Sequence, residues 1–251
     1  MQLLPLSSFD TLQLILLEIL KSSGQSNKIP FVVASWVLNS APSRECSANP
    51  AQYAYLLIDY SLRLGSIAPN FQADTTSGKI DFHEFIGDNW VVLFSHPEDY
   101  TPVCTTELGA FAKLEPEFTK RGVKLIGLSA NTVDSHGGWV KDINEISQTT
   151  LKFPIIADKE RKVAYLYDML DHQDTTNVDQ KGIAFTIRSV FIIDPKKTIR
   201  LTLSYPASTG RNTAEVLRVV DSLQTGDKNK ITTPINWVPG ECLTAGAMAV
   251  R

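Results

Sequence analysis

Cysteine is scarce in this chain. Three occur in 251 residues, Cys46, Cys104 and Cys242, and no two form a C-x-x-C pair. Their odd number and wide spacing argue against a disulfide framework or a zinc site, and they fit a reducing compartment better than secretion. Net charge is also small: 24 basic against 27 acidic residues leave −3, with no basic block. A nucleic-acid partner or an anionic membrane surface therefore has no electrostatic support. Long apolar runs are missing too. Leu12, Ile15, Leu16, Ile19 and Leu20 recur at helical spacing, but the run is short and Gln13 and Glu18 interrupt it. It is too short for stable membrane insertion, and it lacks the basic start of a secretory signal. Residues 1–60 hold one arginine, Arg44, beside Asp10, Glu18, Glu45 and Asp59, a poor composition for a mitochondrial transit peptide. No internal repeat or long low-complexity tract is present.

What the chain does have is enough apolar residues, 43% of the total, to bury a core. One main domain with appended segments is the expectation. Residues 1–60 form an unassigned leader, and a change of texture near Leu62 opens the domain. Leu64 to Phe71 reads as an extended segment and Thr75 to Lys79 as a turn. Trp90 to Ser95 reads as a strand, and Leu108, Phe111, Leu114 and Phe118 mark one face of a helix closed by Gly122. Val123–Ser129 is a second buried strand. A helix around Trp139 to Ile146, a short strand at Ile155-Ile156 and a helix around Val163 to Tyr167 follow. Ser189–Ile193 and Ile199–Tyr205 read as strands joined by a turn at Asp194-Pro195-Lys196-Lys197. Asn212 with Glu215 resembles a capping box, opening a helix with Val216, Leu217, Val220 and Leu223 on its apolar face. Alternating elements of this kind predict an α/β fold with a central mixed sheet flanked by helices.

The chemistry gathers after the Trp90 strand. Pro97 suits a strand end because it cannot donate a ladder hydrogen bond. Thr101 is a good N-cap, and Pro102 suits the first helical position. Cys104 then falls in the first helical turn, where the positive end of the dipole favours thiolate over thiol. A cysteine there is, on position alone, also compatible with a small buried residue.

The string Ser95-His96-Pro97…Cys104-Thr105-Thr106-Glu107-Leu108-Gly109, with P-x-x-x-T-x-x-C intact at Pro97, Thr101 and Cys104, resembles the 1-Cys peroxiredoxins. Asp194-Pro195-Lys196-Lys197 and Tyr205-Pro206-Ala207-Ser208-Thr209-Gly210-Arg211-Asn212 match the same family. The resemblance runs from about Leu62 to Trp237. It implies a thioredoxin-like fold over 61–224 and a peroxidase that uses no metal or organic cofactor. Cys104, as thiolate, would attack a hydroperoxide, hydrogen peroxide or a small alkyl hydroperoxide, to give a sulfenic acid and release water or an alcohol. Thr101 would hydrogen-bond thiolate and peroxide, and Pro97 would shield them from bulk water. Arg188 is implied as the active-site arginine, supplying fixed positive charge and planar donors. Arg211 matches a second arginine near the site, and Glu107 would orient an arginine by a charge-assisted pair. Arg188 on a strand is otherwise readable as a surface residue, and Arg211 with Glu107 as a structural ion pair. His96 would hold backbone or pack at a subunit contact, and no base is required of it.

The departures from the family narrow the reading. Where two-cysteine relatives carry a resolving cysteine, this chain has Thr233 in Thr233-Pro234-Ile235-Asn236-Trp237. An external thiol, glutathione or a thioredoxin-type protein, is then the implied reductant. Cys242 remains as a resolving thiol, a structural residue or an inert tail residue, so a two-cysteine cycle stays open, as does a non-catalytic thioredoxin-fold binding or chaperone protein. Gly87-Asp88-Asn89-Trp90 stands where some relatives carry a lipase serine in G-D-S-W. Without that hydroxyl acyl transfer is excluded, and His83 beside it reads as structural. Residues 225–251 make a short carboxyl-terminal extension, truncated against the arm by which this class embraces a partner, so the implied homodimer would bury less surface.

Overall fold

The computed structural model describes residues 62–241. The apolar pattern at residues 12–20, Cys46 and Cys242 lie outside them. The domain is a seven-stranded mixed sheet with helices on both faces. In chain order the elements are β1 (Gln72–Thr75), β2 (Gly78–Asp81), α1 (Phe82–Ile86), β3 (Trp90–Ser95), α2 (Pro102–Lys120) and β4 (Val123–Ser129). Then follow α3 (Val133–Ser147), β5 (Ile155–Ala157), α4 (Lys162–Leu166), β6 (Arg188–Ile193), β7 (Ile199–Tyr205) and α5 (Thr213–Asn229). Across the sheet the order is β2-β1-β5-β4-β3-β6-β7, with β3–β4 and β4–β5 parallel and the other pairs antiparallel.

The central strands are apolar throughout because both of their faces are covered. On β3, Val92 and Phe94 point into a core with Leu108 and Phe111 of α2, Trp139 and Ile143 of α3, and Val216 and Val220 of α5. Val91 and Leu93 point the other way, toward Phe82 and Ile86 of α1, Val163 of α4 and Tyr167. α2 and α3 approach closely at Gly109, where a Cβ would overlap the Ser147 side chain.

The elements expected around the predicted motif are present, with two differences. The segment 64–71 read as extended holds a turn at Leu64-Gly65 and one isolated bridge at Ile67, and the turn expected at 75–79 lies inside a hairpin, β1–β2, with α1 after it. Only Thr76 and Ser77 form the turn, and Thr75 and Lys79 belong to the strands. Strands of four residues are too short to show an alternation pattern against their neighbours. α3 also starts six residues before Trp139, at Val133, capped by Thr132 Oγ1, which accepts from Ser135 N. After α5 the chain folds back on it: Thr233 hydrogen-bonds the Ser222 side chain of α5, and Trp237 is buried with its carbonyl accepting from Arg218.

Candidate active site

β3 ends at Ser95, and the chain crosses to α2 through the loop 96–101. Pro97 is buried there, and Tyr100 takes a left-handed φ of 61°. α2 begins as its sequence predicts, with Pro102 at the first helical position and Thr101 extended before it. Thr101 makes no side-chain cap, however. Its Oγ1 donates to Glu98 O at 3.0 Å, while Thr101 O accepts from Thr105 N and Thr105 Oγ1. The expected hydrogen bond from Thr101 to the sulfur is therefore not made in this state: a hydroxyl has one proton, and the Glu98 carbonyl takes it.

Cys104 lies in the first turn of α2 and is completely buried. Arg188, the first residue of β6, reaches it from the sheet, with Nη1 3.2 Å from Sγ. That guanidinium is held on its other edges. Nη1 donates to Glu107 Oε2 at 2.7 Å, and Nε and Nη2 donate to Ala207 O at 3.0 and 2.8 Å. Glu107, three residues after Cys104 on the same helix, also accepts from Arg211 N, Nε and Nη2 at 2.7, 3.1 and 2.8 Å. Arg211 Nη1 donates to the carbonyls of Ser95 and Ser189, and its guanidinium lies over the rings of Phe94 and Phe111.

The charges in this cluster set its chemistry. Burial pushes the Glu107 carboxyl up, but the Arg211 and Arg188 guanidiniums outweigh it and hold the group below the usual carboxylate range. Burial presses Arg211 down from its ordinary value against the pull of Glu107; a guanidinium starts so high that it stays charged. Two cations against one carboxylate leave one positive charge uncompensated, and beside the neutral Ala207 carbonyl the remaining group bonded to Arg188 among the described residues is the Cys104 sulfur. That charge faces the sulfur and favours an anion beside it.

The sites expected from sequence come together: Cys104, Arg188, Glu107 and Arg211 form one contact network, with Pro97 and Thr101 in the loop beside it. His96 is buried, its backbone N–H donating to Leu128 O and its carbonyl accepting from Thr186 Oγ1. Its ring binds Asp99, which together with His136, Ser129 and Ser135 was not singled out from sequence. The signal for His136 was the helical period itself: His136, Trp139 and Ile143 share the buried face of α3. His83, by contrast, spends its ring on Ala68 O at 2.7 Å.

Comparison with known proteins follows this geometry. Residues 64–202 match the AhpC/TSA family. Mitochondrial peroxiredoxin PRX1 of Saccharomyces cerevisiae is 59% identical over 181 residues, 72% of this chain and 69% of that protein. Human peroxiredoxin-6 is 52% identical over 184 residues, 72% of this chain and 81% of its own length. Among solved structures, a cysteine-to-serine mutant of peroxiredoxin 6 from Arenicola marina superposes with a TM-score of 0.69 at 47% identity, covering 72% of this chain and 82% of that one. The yeast mitochondrial 1-Cys peroxiredoxin, studied for thiol resolution through the glutathione/thioredoxin systems, gives 0.65 at 56% identity over 72% and 84%. The thioredoxin-like fold is therefore present.

Proposed function

Because this chain belongs to the AhpC/TSA family and, within it, to the 1-Cys peroxiredoxins, which are thiol peroxidases, we propose a chemical role for each residue of the site. Cys104 is the peroxidatic thiolate. It attacks the distal oxygen of a hydroperoxide, the O–O bond breaks, and sulfur becomes sulfenic acid while the leaving oxygen departs as hydroxide or alkoxide and takes a proton from solvent to become water or an alcohol. Arg188 holds the thiolate and stabilises the charge that moves onto the peroxide oxygens. Glu107 and Arg211 keep Arg188 in place, Pro97 excludes water from the pocket, and Thr101 serves the peroxide once its hydroxyl turns from Glu98.

The observation that carries this reading is the 3.2 Å contact between Arg188 Nη1 and Cys104 Sγ inside a buried cluster of two guanidiniums and one carboxylate. Its test is peroxide consumption by the purified chain with glutathione or a thioredoxin system supplied separately. Turnover that vanishes in Cys104→Ser is expected; an unchanged rate in that variant overturns the role of Cys104.

Recycling falls to an external thiol, since Thr233 occupies the place of a resolving cysteine and pairs with Ser222 instead. The yeast relative's link to glutathione and thioredoxin supports that class of reductant. Mass spectrometry after one equivalent of peroxide decides the matter: a Cys104–Cys242 disulfide would replace the single-cysteine cycle. A reducing compartment is the setting we favour, mitochondrial as for the yeast relative or cytoplasmic. A homodimer is the assembly we favour, and sedimentation of the purified chain measures it.

A further inference from the structure

The peroxidase roles above leave one buried polar cluster unused. His96 Nε2 lies 2.9 Å from Asp99 Oδ1, and His136 Nδ1 lies 2.8 Å from Asp99 Oδ2. Ser135 Oγ donates to Oδ2 at 2.7 Å, and Ser129 Oγ lies 3.3 Å from Oδ1 and 3.0 Å from Asn131 Oδ1. Both histidines are wholly shut off from solvent, and Asp99 nearly so.

Hydrogen-bond chemistry assigns the protons. The other nitrogen of His136, Nε2, lies 3.2 Å from Ile156 O, and a carbonyl can only accept. Nε2 therefore carries hydrogen. Nδ1 faces a carboxylate oxygen that already receives Ser135, and a bare lone pair there would meet another lone pair. Nδ1 therefore carries hydrogen as well, and His136 is an imidazolium paired with the Asp99 carboxylate. His96 differs: Nε2 donates to Asp99, while Nδ1 is buried without a partner among the described residues, so this ring is neutral. The Asp99 carboxyl accordingly lies well below its ordinary range, because hydrogen bonds from His136 and His96 outweigh the burial that pushes it up.

The position of the pair gives it a role. Asp99 belongs to the loop that carries Pro97 and Thr101 into α2, and its N–H donates to Asn131 Oδ1 beyond β4. His136 belongs to α3. One turn further along α3, Trp139 Nε1 donates to Thr105 Oγ1 at 3.1 Å, next to Cys104, and the Trp139 ring packs 5.0 Å from that of His96. α3 thus grips the loop through a charge pair and the cysteine's own helix through an indole.

We propose that Asp99 and His136 are positioning residues for the peroxidatic reaction, a buried imidazolium–carboxylate pair that locks the loop 96–101 onto α3 and so fixes Pro97, Thr101 and the start of α2 around Cys104. The role rests on the peroxidase reading. The same three side chains stand close enough to hold a divalent cation. The proton assignment is favoured because donors already surround the carboxylate, and two metal-ligand lone pairs would have to replace two of them.

Two measurements on the full chain test this. In reduced, chelator-treated protein, two-bond 1H–15N spectra at neutral pH should show both His136 nitrogens protonated and only Nε2 of His96. A bare His136 nitrogen overturns the assignment, as does one zinc per chain bound at these rings when zinc alone is added. In single-turnover oxidation of Cys104 by hydrogen peroxide, Asp99→Asn should react about 100-fold more slowly, and Ser135→Ala, a milder change in case the first does not fold, severalfold more slowly. Alkylation of Cys104 by a neutral reagent should fall far less. Equal losses in both reactions, or peroxide rates like wild type, overturn the positioning role. A wild-type chain inert to peroxide would instead overturn the peroxidase reading, and the spectra would still decide the charge state.

Discussion

At the scale of single residues, the geometry of Arg188 is the most exposed to test. Its three nitrogens address three different acceptors: sulfur, carboxylate and carbonyl. Lysine has one compact ammonium and cannot hold all three at these angles. Arg188→Lys should therefore cut the peroxide rate of Cys104 by about 100- to 1000-fold, read by stopped-flow fluorescence, with the fold intact by circular dichroism. Arg211 differs in kind, since it touches no reacting atom and holds Glu107, Ser95 O and Ser189 O together in a buried place. Arg211→Met leaves those acceptors without their donor, and it should cost about 3–5 kcal/mol of stability in urea unfolding. Sequence made both arginines legible only through the family pattern. Nothing in their local spacing tells a strand-start arginine that points inward from one that points to solvent. Asp99 and His136 escaped for a related reason: 37 residues separate the partners of one hydrogen bond.

Among the elements, the start of α2 was the best marked. Proline after an extended threonine specifies a helix N-terminus locally, so the position of Cys104 in the first turn followed from four residues. α3 was harder to place. Two consecutive glycines, Gly137 and Gly138, weaken its helix propensity where it begins, and packing of His136, Trp139 and Ile143 supplies what propensity lacks. Gly138 earns its place through tertiary contact, as a Cβ there would lie 2.5 Å from the Tyr100 hydroxyl. Gly109 is tighter still, against Ser147. Gly109→Ala should improve α2 propensity in isolation yet destabilise the protein by about 1–3 kcal/mol, measured by chemical denaturation. Pairing it with Ser147→Gly should return most of the loss, because that change vacates the space the new methyl needs.

For the whole molecule, three buried groups, His96, Glu107 and Asp99, make stability fall as pH falls below about 6.5, against a smaller opposite pull from buried Asp158, which burial pushes up. His96 is held below its ordinary value first by burial, so the folded chain keeps it neutral where the unfolded chain would protonate it. Glu107 and Asp99 are held below theirs by their partners. In each case the unfolded state binds more protons over the window between the two values, so stability falls as pH falls. The loss should begin near the reference histidine value of 6.5 and continue below the carboxylate references of 4.5 and 3.8. Urea midpoints should therefore decline from about pH 6.5 to pH 4; a midpoint that rises over that range contradicts the buried-charge account.

The sequence by itself determined the strand and helix pattern from Trp90 to Leu223, the helix start that holds Cys104, and the family to which the motif belongs. Those features depend on neighbours in the chain: proline's missing N–H, the threonine before it, the period of apolar residues. Tertiary structure alone decided that Arg188 turns inward onto the sulfur, that Glu107 serves two arginines at once, and that α3 lends His136 to Asp99. Each of those unites residues far apart in sequence. Buried charge is tolerated only with partners in place, so these side chains acquire their roles when the sheet and its helices close over them.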